Sequence, residues 1–329
     1  MKIPTHLSLV LFCDYLPSRF SCSNDILLIL LKVQFPAMNT VTRFSMTAPL
    51  KCVLVTHARD AYQSQQHVSA HWEQFGYSYQ PDFEEACRES DAFIDILTKI
   101  GAEVMLLDAK HCTGLDCLYV HDPVVTLATG FGLCRMGKSL RQNEPHAAGE
   151  WLESHNLPVV GRIEGTGKLE GGDVVWLKPD LVAIGLGYRS NLEGIEQFTS
   201  MSGLSSEQVL PVPLAHWNGP SDVLHLMSFI SPIEDKTLLV YSRIMPVITR
   251  NMLLDNNFKL IELPEEDYDS MGCNVLALGN GKCLIEQKNV RTAETLSKAG
   301  MEVLTYKGDH ISRPGEGGPT CLTRPLLRG

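Results

Sequence analysis

The stretch Leu97-Thr98-Lys99-Ile100-Gly101-Ala102-Glu103-Val104 returns near the other end of the chain as Leu296-Ser297-Lys298-Ala299-Gly300-Met301-Glu302-Val303. Each copy reads as the end of a helix, a glycine that stops it, and the start of a strand. Glycine is favoured there because it accepts the left-handed backbone conformation that terminates a helix. Upstream of the first copy, Cys52 to Val55 is a strand candidate, and Asp82 with Glu85 three residues on is a capping-box pattern. Phe93, Ile94, Leu97 and Ile100 then form one helical stripe, and Val104 to Leu107 is the next strand. Around the second copy, Val275 to Leu278 and Lys282 to Ile285 flank Gly279-Asn280-Gly281, which predicts a hairpin. A helix through Ala299 and a strand over Val303 to Tyr306 follow. Fainter copies lie between: Asn191 starts a helix before Val209 to Val212, and Leu238 to Tyr241 precedes a helix ending near Asn256 and a strand over Leu260 to Leu263. Hairpin, helix and strand thus recur roughly every 50–60 residues, which predicts a cyclic or stacked array of α/β units. A doubly wound sheet, the competing α/β architecture, would alternate strands and helices without hairpins.

The chain has 329 residues, 44% hydrophobic and 20% charged, which is ample material for a core. A net charge of -10 without any long basic run argues against nucleic-acid and anionic-membrane partners, because phosphate neutralisation needs clustered Lys and Arg. The 10 cysteines are dispersed and no Asn-x-Ser/Thr sequon occurs, so a reducing, cytoplasmic setting is expected. Residues 1–46 read differently. Leu7 to Phe12 and Ile26 to Leu31 are short apolar runs interrupted by Asp14, Arg19 and Asp25, and neither reaches the roughly 18–20 residues of a membrane span. Lys2 before the first run and Ser21-Cys22-Ser23 after it leave a signal peptide open. A disordered extension, or a true start at Met38 or Met46, are the other readings. We expect an N-terminal extension over 1–46 outside the core and a single domain over 47–329.

Three islands carry the chemistry: Glu170-Gly171-Gly172-Asp173, Asp222-Val223-Leu224-His225-Leu226 and Gly317-Gly318-Pro319-Thr320-Cys321. A lone cysteine is ordinarily a small buried hydrophobe, and the other nine read that way. Cys321 differs because Gly315, Gly317 and Gly318 let backbone and substrate approach closely. His225 alone would read as a satisfied core histidine, and Glu170 alone as a loop charge. Together they supply nucleophile, base and acid: the carboxylate orients the imidazole, and the imidazole serves the thiol.

The order Asp, Glu-Gly-Gly-Asp, His, Gly-Gly-x-x-Cys resembles the pentein superfamily of guanidine-modifying enzymes over about residues 50–329. Its members include arginine and agmatine deiminases, amidinotransferases and dimethylarginine dimethylaminohydrolases. The resemblance implies an α/β propeller of five ββαβ units around a pseudo-fivefold axis. It implies Cys321 as nucleophile, His225 as acid/base and Glu170 as the acid beside the substrate. It also implies that Asp122, in Val120-His121-Asp122-Pro123, grips the guanidinium, with Asp173 of the Glu-Gly-Gly-Asp motif as a further substrate-binding residue. Arg189, in Gly187-Tyr188-Arg189-Ser190-Asn191, resembles the arginine that binds the substrate α-carboxylate in dimethylarginine dimethylaminohydrolases, and Arg141 resembles a second such arginine less closely. Deiminases and amidinotransferases usually carry an Asp two residues after the His. Met227 stands there, the dimethylaminohydrolases also lack that Asp, and a carboxylate beside two methyl groups would be desolvated at a cost of several kcal/mol. The expectation is therefore hydrolysis of a methylated arginine to citrulline and dimethylamine, with no metal and no organic cofactor. Arginine deiminase or amidinotransferase activity is the alternative, and a non-catalytic binding protein of the same fold is a third. Oligomeric state stays open, a homodimer included.

Other patterns are weaker. His111, Cys112, Cys117 and His121 could suggest zinc, but Cys-x4-Cys is not the usual Cys-x2-Cys spacing. Gly165-x-Gly167-x-x-x-Gly171 misses the dinucleotide fingerprint by one residue, and Gly279-Asn280-Gly281-Lys282 is too short for a phosphate-binding loop. Both read as turns.

Overall fold

The computed structural model describes residues 45–222 and 224–329. The expected extension therefore lies, except for Ser45 and Met46, outside the described residues. Strand β1 (Leu50–Thr56) leads through helices α1 (Ala58–Tyr62), α2 (Gln65–His71) and α3 (Phe83–Lys99) to β2 (Glu103–Leu107). Next come β3 (Val124–Leu127), β4 (Gly130–Leu133), α4 (Glu144–Ser154) and β5 (Val159–Arg162), then β6 (Val174–Lys178), β7 (Leu181–Leu186), α5 (Leu192–Ser202) and β8 (Val209–Pro213). The same succession repeats as β9 (Ile230–Glu234), β10 (Thr237–Val240), α6 (Val247–Asp255) and β11 (Lys259–Glu262), and as β12 (Leu276–Gly279), β13 (Lys282–Glu286), α7 (Val290–Lys298) and β14 (Glu302–Tyr306). Strand β15 (Arg324–Arg328) comes last.

These strands form five three-stranded sheets among the described residues. In each, the middle strand runs antiparallel to one neighbour and parallel to the other. The antiparallel partner of β1 is β15, so the first sheet is assembled from both ends of the described chain. The recurring unit is ββαβ, as the repeat predicts.

Local chemistry explains the unit. Asp82 caps α3 by accepting the Glu85 N–H at 2.8 Å, and Asn191 caps α5 through the Gly194 N–H at 2.9 Å. Gly101 and Gly300 adopt φ of 88° and 99°, and both have open space where a Cβ would stand, so backbone conformation alone selects glycine. On α3, Phe93 and Leu97 are buried, each contributing about 2 kcal/mol by removal from water, while Ile94 and Ile100 cover the edge of the same cluster. The hairpin between β12 and β13 turns through Gly279, Asn280 and Gly281, all with positive φ.

The first strands of the units, β3, β6, β9, β12 and β15, all contribute to the wall of one narrow cavity. Met46 reaches it too, and its sulfur accepts the Trp176 N–H at 3.3 Å. All cysteines among the described residues are unpaired, and no helix there is long and apolar enough to cross a membrane.

Candidate active site

Each acid, base and thiol singled out above sits in the loop that enters the first strand of a unit. Asp122 precedes β3, Glu170 and Asp173 precede β6, His225 precedes β9, and Cys321 precedes β15. The corresponding loop before β12 carries Asn274, which sequence reasoning missed. Five chain-distant loops are thereby brought to one end of the shared cavity, whose wall includes His121, Met227, Val275 and Thr320 from those same loops.

Glu170 is fully buried and heavily coordinated. Its Oε1 accepts the Gly137 N–H at 2.7 Å, and Oε2 accepts from Arg189 Nη1 at 3.1 Å and from His225 Nε2 at 2.8 Å. Burial raises its carboxyl, but Arg189 and the His225 hydrogen bond outweigh this and hold it below the ordinary range. Asp122 receives Arg141 Nη1 on Oδ2 at 2.7 Å and the Gly172 N–H on Oδ1 at 3.0 Å. Burial again opposes the charge, and Arg141 and then His225 more than offset it, so Asp122 is a firm carboxylate.

His225 is clamped between these two acids, with Nδ1 4.0 Å from Asp122 Oδ1. Burial disfavours the imidazolium, but Asp173, Asp122 and Glu170 together raise it to about 9. A Cβ on Gly172 would collide with the His225 ring, which accounts for the second glycine of Glu-Gly-Gly-Asp. Asp173 is fully buried, and it accepts Ser190 Oγ at 2.6 Å and the Leu226 N–H at 2.9 Å. It thus fastens the residue next to His225, and burial pushes its own carboxyl up to about 6.

Cys321 accepts a hydrogen bond from Asn274 Nδ2 at 3.0 Å, while Asn274 Oδ1 takes the Thr320 N–H at 3.0 Å. Although Cys321 keeps part of its surface open, crowding around the sulfur and then the Asp122 charge push the thiol up to about 12, against the pull of Asn274 and the Gly318 backbone. Gly318 packs on the Asn274 side chain so closely that a Cβ would clash. The glycine run therefore serves packing as much as substrate approach.

The two arginines are engaged inside the protein. Arg189 gives Nη1 to Glu170. Arg141 uses all three nitrogens, Nε and Nη2 on Glu144, Nη1 on Asp122, with Nη2 also reaching the Tyr119 carbonyl at 3.0 Å. Arg141 thus grips the expected guanidinium-binding Asp122. A further buried acid, Asp116, holds Lys138 Nζ at 2.6 Å and lies 3.9 Å from Arg141 Nε. Its signal in sequence was an isolated acid inside the apolar run Leu115–Val120. Met227 is buried in the apolar core and lines the cavity beside Val174 and Val275.

Asp122, Glu170 and His225 place ligand atoms within 4.8 Å of one another, but Arg141 and Arg189 already neutralise the two acids, which disfavours a dication there. Of the zinc candidates, His121 Nδ1 is engaged by the Thr323 carbonyl at 2.9 Å and His111 by Asp108.

Comparison with known proteins identifies the family. Residues 58–328 match the family described as N,N dimethylarginine dimethylhydrolase, eukaryotic. The N(G),N(G)-dimethylarginine dimethylaminohydrolase of Pseudomonas aeruginosa is 26% identical over 246 residues, covering 74% of this chain and 89% of that protein. Its structure as a Cys-to-Ser mutant complexed with citrulline superposes with a TM-score of 0.66 at 25% identity, covering 85% of this chain and 100% of that one. An arginine deiminase of Mycobacterium avium is 26% identical over 194 residues, which is 50% of this chain and 47% of that protein. The N-terminal domain of the cyanobacterial arginine dihydrolase ArgZ, bound to product, shares the fold with a TM-score of 0.70 at 19% identity, covering 84% of this chain and 97% of that one. A family match over nearly the whole described chain joins the convergence of acids, imidazole, amide and thiol from five loops, and the chain belongs to the dimethylarginine dimethylhydrolase family of the penteins.

Proposed function

We propose that this protein hydrolyses an N-ω-methylated arginine to citrulline and dimethylamine through Cys321. The observation that carries the reading is the His225 clamp: an imidazole with Nε2 2.8 Å from Glu170 and Nδ1 4.0 Å from Asp122, whose charge also reaches Cys321. In this reading the five ββαβ units form a propeller whose axis passes through the shared cavity.

The mechanism follows from the charges. The resting thiol is protonated, because burial and Asp122 hold it near 12. A guanidinium gripped by Asp122 brings a positive charge to the sulfur and stabilises its thiolate, the thiol proton leaving to solvent. The thiolate attacks the guanidinium carbon to give a tetrahedral adduct. The His225 imidazolium protonates the departing dimethylamine, and the C–N bond breaks to leave a thiouronium on Cys321. Neutral His225 then takes a proton from water, hydroxide adds to the same carbon, and the C–S bond breaks to release citrulline and thiolate, the proton of the added hydroxyl leaving to solvent. Glu170 and Asp122 face positive charge at every step. Arg189 keeps nitrogens beyond the one bound to Glu170, and these carry the α-carboxylate contact.

The substrate preference rests on Met227, which leaves no carboxylate two residues after His225. The likeness to arginine deiminases favours arginine as the rival substrate. A citrulline assay with arginine, monomethylarginine and asymmetric dimethylarginine, with Cys321→Ser as blank, tests both. Citrulline from the methylated substrates alone is expected. Citrulline mainly from arginine would reassign the enzyme as a deiminase, and product from Cys321→Ser would remove the nucleophile. Silence on all three substrates points to amidino transfer or a binding role. A cytoplasmic setting, in which the thiol stays reduced, belongs to the same proposal.

A further inference from the structure

The cavity behind the active site has an unusual charge balance. Its wall is mostly apolar, from Val125, Val174, Trp176, Met227, Val275 and Leu276, and includes no Asp or Glu. Two arginines of β15, Arg324 and Arg328, border it nevertheless. Arg324 is 4% exposed, and its Nη2 donates to the His121 carbonyl. Arg328 Nη1 donates to the Ala48 carbonyl at 2.7 Å. The Nε of each is buried and has no hydrogen-bond partner among the described residues. Neither arginine forms an ion pair with a carboxylate among those residues.

Buried guanidiniums ordinarily meet carboxylates, because a desolvated charge left alone is strongly unfavourable. The other buried arginines near the site obey that rule, Arg141 with Glu144 and Asp122, and Arg189 with Glu170. Arg324 and Arg328 do not. Burial lowers Arg324 to about 10, and burial together with the neighbouring Arg324 charge lowers Arg328 to about 9, so both stay charged at neutral pH and repel each other. The hydroxyls at the wall give their protons elsewhere, Thr126 Oγ1 to the Pro325 carbonyl, Ser231 Oγ to Cys273 and Thr320 Oγ1 to Val275, and neither guanidinium donates to any of them.

We propose that this cavity is a binding site for a chloride-sized monovalent anion, held by the Nε donors of Arg324 and Arg328. The space open to the centre of a water-sized sphere is about 20 Å³. That is room for at least one water-sized sphere, and a halide is of that size. Water, the rival occupant, supplies no counter-charge. The site lies outside the proposed reaction, so its test is independent of the substrate assay.

The full-length protein is exchanged into sodium gluconate, and its melting temperature is followed as chloride replaces gluconate at constant ionic strength. Binding to the folded state alone raises Tm by about 2 °C or more once chloride exceeds its Kd about tenfold. The rise is expected in the wild type and lost in Arg328→Met. In crystals soaked in bromide, an anomalous peak is expected between the two guanidiniums, and this measurement needs no variant. A melting temperature indifferent to chloride, or a bromide map empty at that point, overturns the proposal.

Discussion

His225 Nε2 lies 2.8 Å from Glu170 Oε2, and both groups are withdrawn from solvent. The raised imidazole is a stability statement as well as a catalytic one. Its value of about 9 exceeds the ordinary 6.5, so the imidazolium's contribution is complete below about pH 6.5 and is lost as pH rises through 9. Melting curves of the wild type and His225→Gln from pH 6 to 10 should therefore converge on the alkaline side. A constant gap across that range would show that the histidine is not held protonated.

The thiol gives a second pH handle. With Cys321 near 12, alkylation of the free enzyme by iodoacetamide should be slow at pH 7 and still rising at pH 10. A bound guanidinium that leaves the sulfur accessible should lower the midpoint, whereas a neutral urea analogue should not. Rapid, pH-independent labelling of Cys321 at pH 7 would contradict the resting state described above.

Gly172→Ala tests how closely the clamp is built. The added Cβ meets the His225 ring, and a displacement of about 1 Å at a catalytic group costs roughly 100-fold in rate. We expect kcat/KM to fall by about that factor while far-ultraviolet dichroism is preserved. Wild-type turnover in Gly172→Ala would mean the imidazole position is not critical.

Asn274→Ala removes the donor to Cys321 and the acceptor for Thr320. Loss of one hydrogen bond to the thiol, worth about 1–1.5 kcal/mol, should reduce kcat about tenfold. Asn274→Asp should be worse, since it places a second anion beside the sulfur. The two variants behaving alike would reduce Asn274 to a packing residue.

Met227 packs in the core, which sharpens the test of selectivity. Met227→Leu conserves volume and should cost less than about 1.5 kcal/mol. Met227→Asp buries a charge and should destabilise by roughly 3–5 kcal/mol unless a cation moves to meet it. If selectivity depends on the missing carboxylate, the surviving folded fraction gains activity toward arginine; unchanged selectivity in that variant removes the argument.

Much of this arrangement was legible because the repeat is local. Gly101 and Gly300 mark helix ends whatever surrounds them, and Asp82 and Asn191 cap their helices from within a few residues. Glu170, His225 and Cys321 were legible because each stands among glycines or apolar residues that leave a polar group conspicuous. Strand β15 was not, since Arg324-Pro325-Leu326-Leu327-Arg328 has no alternation and its partner β1 lies at the opposite end of the described chain. Asn274 is chemically modest and carries no motif of its own. Only the register of the repeat, applied to the loop before β12, would have pointed to it. The partners of Arg141 and Arg189 were equally hidden, because a guanidinium near several acids can serve any of them, and the fold decides which.

The pairing of β1 with β15 also sets an order of events during synthesis. Among the strands of the described residues, β1 and its parallel neighbour β2 emerge first and β15 last, so the first sheet waits for that last strand before its edge is covered. Cys321 arrives with that strand. A growing chain thus carries Asp122, Glu170 and His225 early but gains the Cys321 thiol only as the first sheet receives its last strand.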